Sequence, residues 1–151
     1  MDISILISDD KESGIDSKLF TDCAEAVFSM LETDFDECEI SLVLTDDARI
    51  KELNGEYREK DYATDVLSFP MSDDPLAEGG MLGDIVISMD TAKAQADEAA
   101  IRLEREMAFL FIHGLLHLLG FDHETSAEDE EEMFDLQEEI LRNLLENGKV
   151  P

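Results

Sequence analysis

The run from Met107 to Phe121 contains no Asp, Glu, Lys or Arg over fifteen residues, although 33% of the residues of this chain are charged. Apart from Gly114 and two histidines the run is apolar on every side, which is typical of a helix buried at the centre of a domain. It is too short and too polar to cross a bilayer, because a spanning helix needs roughly 20 apolar residues. The run therefore predicts a central helix that ends near Leu119 and that the rest of the fold must cover.

All three histidines of the chain lie in or just after this run, in the segment HGLLHLLGFDH. Residues four apart share one face of a helix, so His113 and His117 can bind the same ion. Gly120 suits a position of positive φ, which ends the helix and brings His123 back towards that ion. Three imidazoles leave a fourth tetrahedral position open, as in catalytic zinc sites. The spacing predicts one zinc ion per chain, although imidazole ligands also accept nickel, copper or iron.

These histidines have two other interpretations. Three unrelated core histidines are the first, but unpaired buried imidazoles are costly and a metal removes that cost. A zincin-like metallopeptidase is the second, and its pattern His-Glu-x-x-His carries the general base at the residue where this chain has Gly114. A glycine cannot activate water, and it weakens a helix interior by roughly 1 kcal/mol relative to alanine. Gly114 therefore indicates close approach by a substrate or by a neighbouring segment.

The length and composition of the chain limit the class of protein to which it can belong. A length of 151 residues suits a single domain with a real core, and the net charge of −28 repels polyanions at long range. Two cysteines, Cys23 and Cys38, do not make a disulfide framework and are expected to be reduced and buried. The chain shows no signal-peptide pattern, so we expect a cytoplasmic protein that does not enter a membrane.

The basic residues are unevenly spread, and four of the eleven fall within twelve positions, at Arg49, Lys51, Arg58 and Lys60. Arg58 is the candidate for binding phosphate, because a guanidinium binds phosphate through two hydrogen bonds and keeps its charge at any working pH. A surface salt bridge to Asp61 or Asp65 is the alternative.

Hydrophobic periodicity predicts four strands, at Asp2–Ser8, Cys38–Thr45, Val66–Phe69 and Met81–Ser88. It also predicts five helices. The first is Asp16–Thr33, with Asp16 or Ser17 as N-cap, and the second is capped by Thr45 or Asp46 and runs to about Tyr57. The third is capped by Asp90 or Thr91 and runs to about Ala100, the fourth is the central helix, and the fifth is capped by Ser126 and runs to about Asn147. We therefore expect an α+β fold in a single domain, 1–151. A small mixed sheet of about four strands would pack against about five helices, with the His113/His117 helix in the core.

Three motifs carry a family resemblance: LNGEYREKDYATDVLSFP at Leu53–Pro70, then LGDIVIS, then HGLLHLLGFDH. In this order they resemble the YbeY family of bacterial ribosomal RNA maturation endoribonucleases over most of the chain. The family's zinc histidines would fall on His113, His117 and His123, and its motif arginine, implicated in activity, on Arg58. One minor departure is Ala63, which stands where the family often has proline.

The resemblance implies a zinc-dependent, single-strand-specific endoribonuclease that acts in the maturation of small-subunit ribosomal RNA and in ribosome quality control. Its partners would be single-stranded ribosomal RNA and the small ribosomal subunit, with no DNA and no membrane. The ion would lower the pKa of a water or polarise a phosphoryl oxygen, and Arg58 would stabilise the charge of the transition state. The general base is not identified, and two routes are open: hydroxide acts in that role, or the 2′-hydroxyl of the RNA is the nucleophile. A ribosome-associated protein with a structural metal is a further alternative to an enzyme.

Overall fold

A four-stranded mixed sheet organises the fold in the computed structural model, which describes residues 2–31, 37–60, 63–71, 80–121 and 127–151. The strands are β1 (Asp2–Asp9), β2 (Glu37–Thr45), β3 (Val66–Pro70) and β4 (Gly80–Ser88). Their order in the sheet is β1-β2-β4-β3, in which β1, β2 and β4 are parallel and β3 runs antiparallel along the β4 edge. The predicted small mixed sheet is confirmed.

Five helices surround this sheet, at α1 (Ser17–Met30), α2 (Asp47–Arg58), α3 (Met89–Ala99), α4 (Leu103–Leu118) and α5 (Ala127–Glu146). Two of the predicted N-caps are confirmed, because Asp16 accepts from the Lys18 amide and Asp46 accepts from the Arg49 amide. The helix count, the α+β class and the single domain also agree with the sequence analysis. The predicted cap Ser126 lies outside the described residues.

The predicted cap of α3 is wrong. The N-cap is Ser88, the last residue of β4, whose hydroxyl accepts from the Thr91 amide at 3.3 Å. The two predicted caps serve another contact: the Asp90 carboxylate accepts from the Asp47 amide at 3.1 Å, and the Thr91 hydroxyl donates to the Asp47 carboxylate at 2.6 Å. These hydrogen bonds join the first turns of α2 and α3. Because Ser88 is the cap, α3 begins directly after β4.

The main core lies between one face of the sheet and helices α1, α4 and α5. Helix α4 is its centre, with ten of its sixteen residues buried. Side chains alternate between the faces of a strand, so Ile85 and Ile87 of β4 join this core while Val86 points to the opposite face. There Val86 forms a small cluster with Ile50 of α2 and Leu67 of β3. The predicted burial of the central helix is confirmed.

Both cysteines are buried and free. Burial raises the pKa of Cys23 to about 12 and the pKa of Cys38 to about 11. This confirms the expectation of reduced, buried thiols. Within the described ranges, none of the helices combines the length and the apolarity that crossing a membrane requires.

Candidate metal centre

His113 and His117 meet on the half-buried face of α4, where their Nε2 atoms are 3.2 Å apart. The helical repeat brings residues four apart together, and the two rings meet edge to face with centroids 4.7 Å apart. Two zinc–nitrogen bonds in a tetrahedral arrangement place the nitrogens about 3.3 Å apart. The spacing of these two Nε2 atoms therefore fits a shared metal ion.

The turn after α4 has the geometry that the sequence predicted for Gly120, whose φ is 102°. The Gly120 amide donates to the His117 carbonyl, and the Phe121 amide donates to the Leu116 carbonyl, both at 3.0 Å. This pair of bonds is a Schellman motif, which ends the helix and turns the chain.

His123 lies outside the described residues, so its role as third ligand stays a prediction. Within the ranges that are described, no group of three His, Cys, Asp or Glu side chains is placed to hold a metal. The structure brings together two of the three predicted ligands.

Gln137 of α5 is the residue of this site that the sequence analysis missed. Its Oε1 lies 3.1 Å from Nδ1 of His113, and its Nε2 donates to the Phe109 carbonyl at 3.2 Å. The side chain is 0% exposed. One sequence signal could have revealed it: Gln137 is a polar residue four positions after Met133 and three before Ile140, on the apolar stripe of a helix.

Gly114 is required by a neighbouring segment, one of the two reasons that the sequence analysis left open. A Cβ atom at this position would lie 2.9 Å from Cγ2 of Ile85 and 3.2 Å from Oγ of Ser68. The Ser68 hydroxyl also donates to the Gly114 carbonyl at 3.1 Å. Strands β3 and β4 therefore pack directly against the backbone of α4, between the two histidines.

Arg58 is the last residue of α2, and its side chain lies outside the described part of the chain. The end of α2 is held against β3, because the ring of Tyr57 packs edge-on against Phe69 at a centroid distance of 5.5 Å. Tyr57 is nevertheless 64% exposed. Strand β3 thus contacts both α2 and α4, while the role of Arg58 stays a prediction.

Glu106 lies on α4 two turns before His113 and is 9% exposed. Burial raises the pKa of its carboxyl, and the nearby charge of Asp65 raises it further. Asp65 is itself engaged locally, since it accepts from the Val66 amide at 2.8 Å. This carboxyl pair lies at the end of α4 away from the histidine turn.

Comparison with known proteins identifies the family. The family model described as Endoribonuclease YbeY matches residues 6–145 of the chain. The chain belongs to this family. The Endoribonuclease YbeY of Sulfurihydrogenibium sp. (strain YO3AOP1) is 47% identical to it over 130 residues, which are 86% of this chain and 84% of that protein. The Endoribonuclease YbeY of Heliobacterium modesticaldum (strain ATCC 51547 / Ice1) is 52% identical over 132 residues, or 80% of this chain and 76% of that protein.

A solved structure has a similar fold. The solution structure of TM1509 from Thermotoga maritima superposes with a TM-score of 0.65 at 28% identity, covering 97% of this chain and 91% of that one. Membership of the YbeY family confirms the resemblance on which the sequence analysis relied, and with it the enzyme class, a hydrolytic endoribonuclease.

Proposed function

We propose that this YbeY-family chain is a zinc-dependent, single-strand-specific endoribonuclease that acts in the maturation of small-subunit ribosomal RNA and in ribosome quality control. The observation that carries the proposal is the pair of Nε2 atoms, on His113 and His117, 3.2 Å apart on a buried helix. Relatives that cover 86% and 80% of this chain carry the name endoribonuclease. Single-stranded ribosomal RNA and the small ribosomal subunit are the proposed partners, which implies a cytoplasmic enzyme.

His113, His117 and His123 would hold one zinc ion per chain. The donor set supports zinc, because imidazole nitrogens are among its preferred ligands and three of them leave a position open. When bound, zinc supplies a Lewis acid that polarises a phosphoryl oxygen. The task of the chain is then to hold these imidazoles at fixed positions, and the packing of α4 against the sheet at Gly114 does this.

Arg58 would bind the phosphate that is cleaved. A guanidinium placed against the developing charge of a phosphoryl transition state stabilises it, and removing such a group typically lowers the rate on the order of 100-fold or more. The net charge of −28 opposes long-range attraction of RNA, so binding must depend on short-range contacts from Arg58 and from the ion. The general base is not identified, and two routes stay open: hydroxide acts in that role, or the 2′-hydroxyl of the RNA is the nucleophile.

The packing at Gly114 argues against the peptidase alternative. A peptidase of this pattern needs a glutamate at this position, and even its Cβ would lie only 2.9 Å from Cγ2 of Ile85, so Ile85 would have to shift. The substitution that separates this chain from such peptidases is therefore built into the contact between α4 and the sheet.

Cleavage by zinc-loaded protein of matched single-stranded RNA, double-stranded RNA and casein tests the proposal. We expect cleavage of the single-stranded RNA alone, with loss of bound zinc in His117→Ala. Arg58→Ala should keep its zinc and its melting temperature but lose on the order of 100-fold in rate. Arg49→Ala is the matched control, because it removes the same charge from an exposed ion pair with Glu52 on the same helix. A small-subunit ribosomal RNA precursor should then be cut at discrete sites in its unpaired segments.

Three results would contradict the proposal. Chelator-sensitive cleavage of casein that His117→Ala abolishes would favour the peptidase. Unfolding of the protein on removal of zinc, without any RNA cleavage by the loaded form, would favour a structural metal. An unchanged rate in Arg58→Ala would remove this arginine from the mechanism.

A further inference from the structure

We propose that Gln137 is a positioning residue that sets the tautomer and the orientation of His113 for metal binding. The inference rests on the proposed function, because it assumes that His113 is a metal ligand. Gln137 belongs to α5, a different helix from the histidines, and lies 24 positions along the chain from His113.

The first step is the orientation of the Gln137 amide. Its Nε2 donates to the Phe109 carbonyl at 3.2 Å. A carbonyl can only accept, so a flipped amide would turn its own oxygen towards another oxygen. The contact with Phe109 therefore directs Oε1 towards His113.

The second step is the tautomer of His113. Because Oε1 of Gln137 is an acceptor, the Nδ1 atom 3.1 Å away must carry the ring proton. In the neutral imidazole the lone pair is then on Nε2, the atom that lies 3.2 Å from Nε2 of His117. Metal-bound histidines usually donate their other ring nitrogen to an acceptor of this kind, which fixes the ring and raises its basicity.

The third step is the rigidity of the amide. Gln137 is 0% exposed, and Met133 and Ile140 on the same stripe of α5 are 1% and 0% exposed. A buried amide must have its hydrogen bonds satisfied, and the Gln137 amide bonds to Phe109 and His113, which lie one turn apart on α4. Helix α5 thereby holds the ring of a ligand on α4 through a side chain that is itself immobilised by packing.

A purely structural role, in which Gln137 only joins α5 to α4, predicts different behaviour in two variants. Gln137→Met keeps the length of the side chain and removes both hydrogen bonds. Gln137→Glu keeps an oxygen acceptor for His113 and loses the donor to Phe109. If Gln137 only joins the two helices, both variants should lose zinc affinity equally. If the acceptor for His113 is what matters, Gln137→Glu should keep the zinc affinity that Gln137→Met loses.

The test measures the zinc dissociation constant by competition with a chelator, together with the melting temperature of the metal-free protein. We expect Gln137→Met to bind zinc about 10- to 100-fold more weakly and Gln137→Glu to stay close to wild type. Ile140→Ala is the matched control, since Ile140 is equally buried on the same stripe of α5 and has no group that could accept a hydrogen bond from His113. It should lower the melting temperature and leave the zinc affinity of the folded protein unchanged.

Nitrogen NMR of His113 gives a second measurement that needs no variant. In the metal-free wild type the ring should be the tautomer protonated at Nδ1, and this preference should weaken in Gln137→Met. Wild-type His113 protonated at Nε2 would overturn the inference even if the methionine variant failed to fold.

The remaining outcomes separate this inference from the proposed function. Unchanged zinc affinity in Gln137→Met, or an equal loss in the methionine and glutamate variants, would overturn the role of Gln137 alone, provided that His113→Ala loses zinc. If His113→Ala kept its zinc, the metal assignment would fail, and the proposed function would fail with it.

Discussion

The two faces of the sheet hold their helices very differently. On one face, α1, α4 and α5 share a large core, and α4 is packed so closely that Ile85 and Ser68 touch the backbone of Gly114. On the other face, α2 rests on a small cluster of Ile50, Leu67 and Val86. His113 and His117 belong to the helix that packs on the first face, and Arg58 ends the helix on the second.

This difference in packing matches the roles proposed for the histidines of α4 and for Arg58 of α2. Metal ligands have to hold their positions within about 0.5 Å, which requires locked side chains on a rigid element. A guanidinium at the end of a long side chain can adjust to a phosphate, so its helix needs less support. We infer that damage to α4 itself, beside His113, reduces zinc binding, whereas damage around α2 reduces stability and spares the metal.

The largest expected effect is the loss of stability in Ile112→Ala, which we compare with Ile50→Ala. Both isoleucines are 0% exposed. Loss of a buried isoleucine side chain costs about 2–5 kcal/mol. We expect Ile112 to fall near the upper end, because it lies in the large core beside His113, and Ile50 near the lower end. Denaturant unfolding gives both values, and zinc titration of the folded variants should show weaker binding for Ile112→Ala alone. Equal zinc affinities in the two variants would contradict the inferred difference between the two faces.

A glycine-to-alanine substitution should change the stability of the protein in opposite directions on the two faces of the sheet. At Gly114 the new methyl group would lie 2.9 Å from Ile85, so Gly114→Ala should destabilise by about 1–3 kcal/mol. At Gly55 in α2 the nearest atom is the Lys60 carbonyl oxygen at 3.8 Å, an ordinary contact. Gly55→Ala should therefore stabilise by up to about 1 kcal/mol through helix propensity. Thermal unfolding measures both, and stabilisation by Gly114→Ala would contradict the close packing of α4.

The smallest expected effect concerns the buried carboxyl of Glu106. The pKa of this group is raised in the folded state, first by burial and then by Asp65, so the folded protein binds its proton more tightly. The stabilisation that this provides is present below the ordinary carboxyl pKa, and it disappears as the pH rises through the raised value. Glu106→Gln should then raise the melting temperature by a few degrees at pH 7 and by less at pH 4.

Glu56→Gln is the control for this prediction, because Glu56 is exposed on α2 and the substitution removes the same charge from solvent. The change in melting temperature caused by Glu56→Gln should differ much less between pH 7 and pH 4. Identical pH profiles for the two variants would mean that burial of Glu106 has no effect on stability.

The sequence predicted most of the fold, because its signals are local. Alternation identified the strands, and the apolar run ending at Phe121 identified α4 as the central helix. The error at the start of α3 has a tertiary cause, since Asp90 and Thr91 are good caps that bond to Asp47 instead. A local pattern cannot show that another helix uses a capping side chain.

The candidate site was predictable to the extent that its residues are close in sequence. The helical repeat alone brings His113 and His117 together. Gln137 was not predictable in the same way, because its contact with His113 depends on how α5 packs against α4. The reason for Gly114 was likewise hidden, since Ile85 and Ser68 belong to two strands that precede it in the chain.

The buried cysteines affect which atoms compete for metal. Thiolate is the form that binds zinc, and with pKa values of about 12 and about 11 the thiols of Cys23 and Cys38 remain protonated near neutral pH. Soft ions such as Cu(I), which favour sulfur over imidazole, thus find no ready thiolate at these two positions. Burial of both cysteines thus keeps thiolate from competing with the imidazoles of α4 in the folded chain.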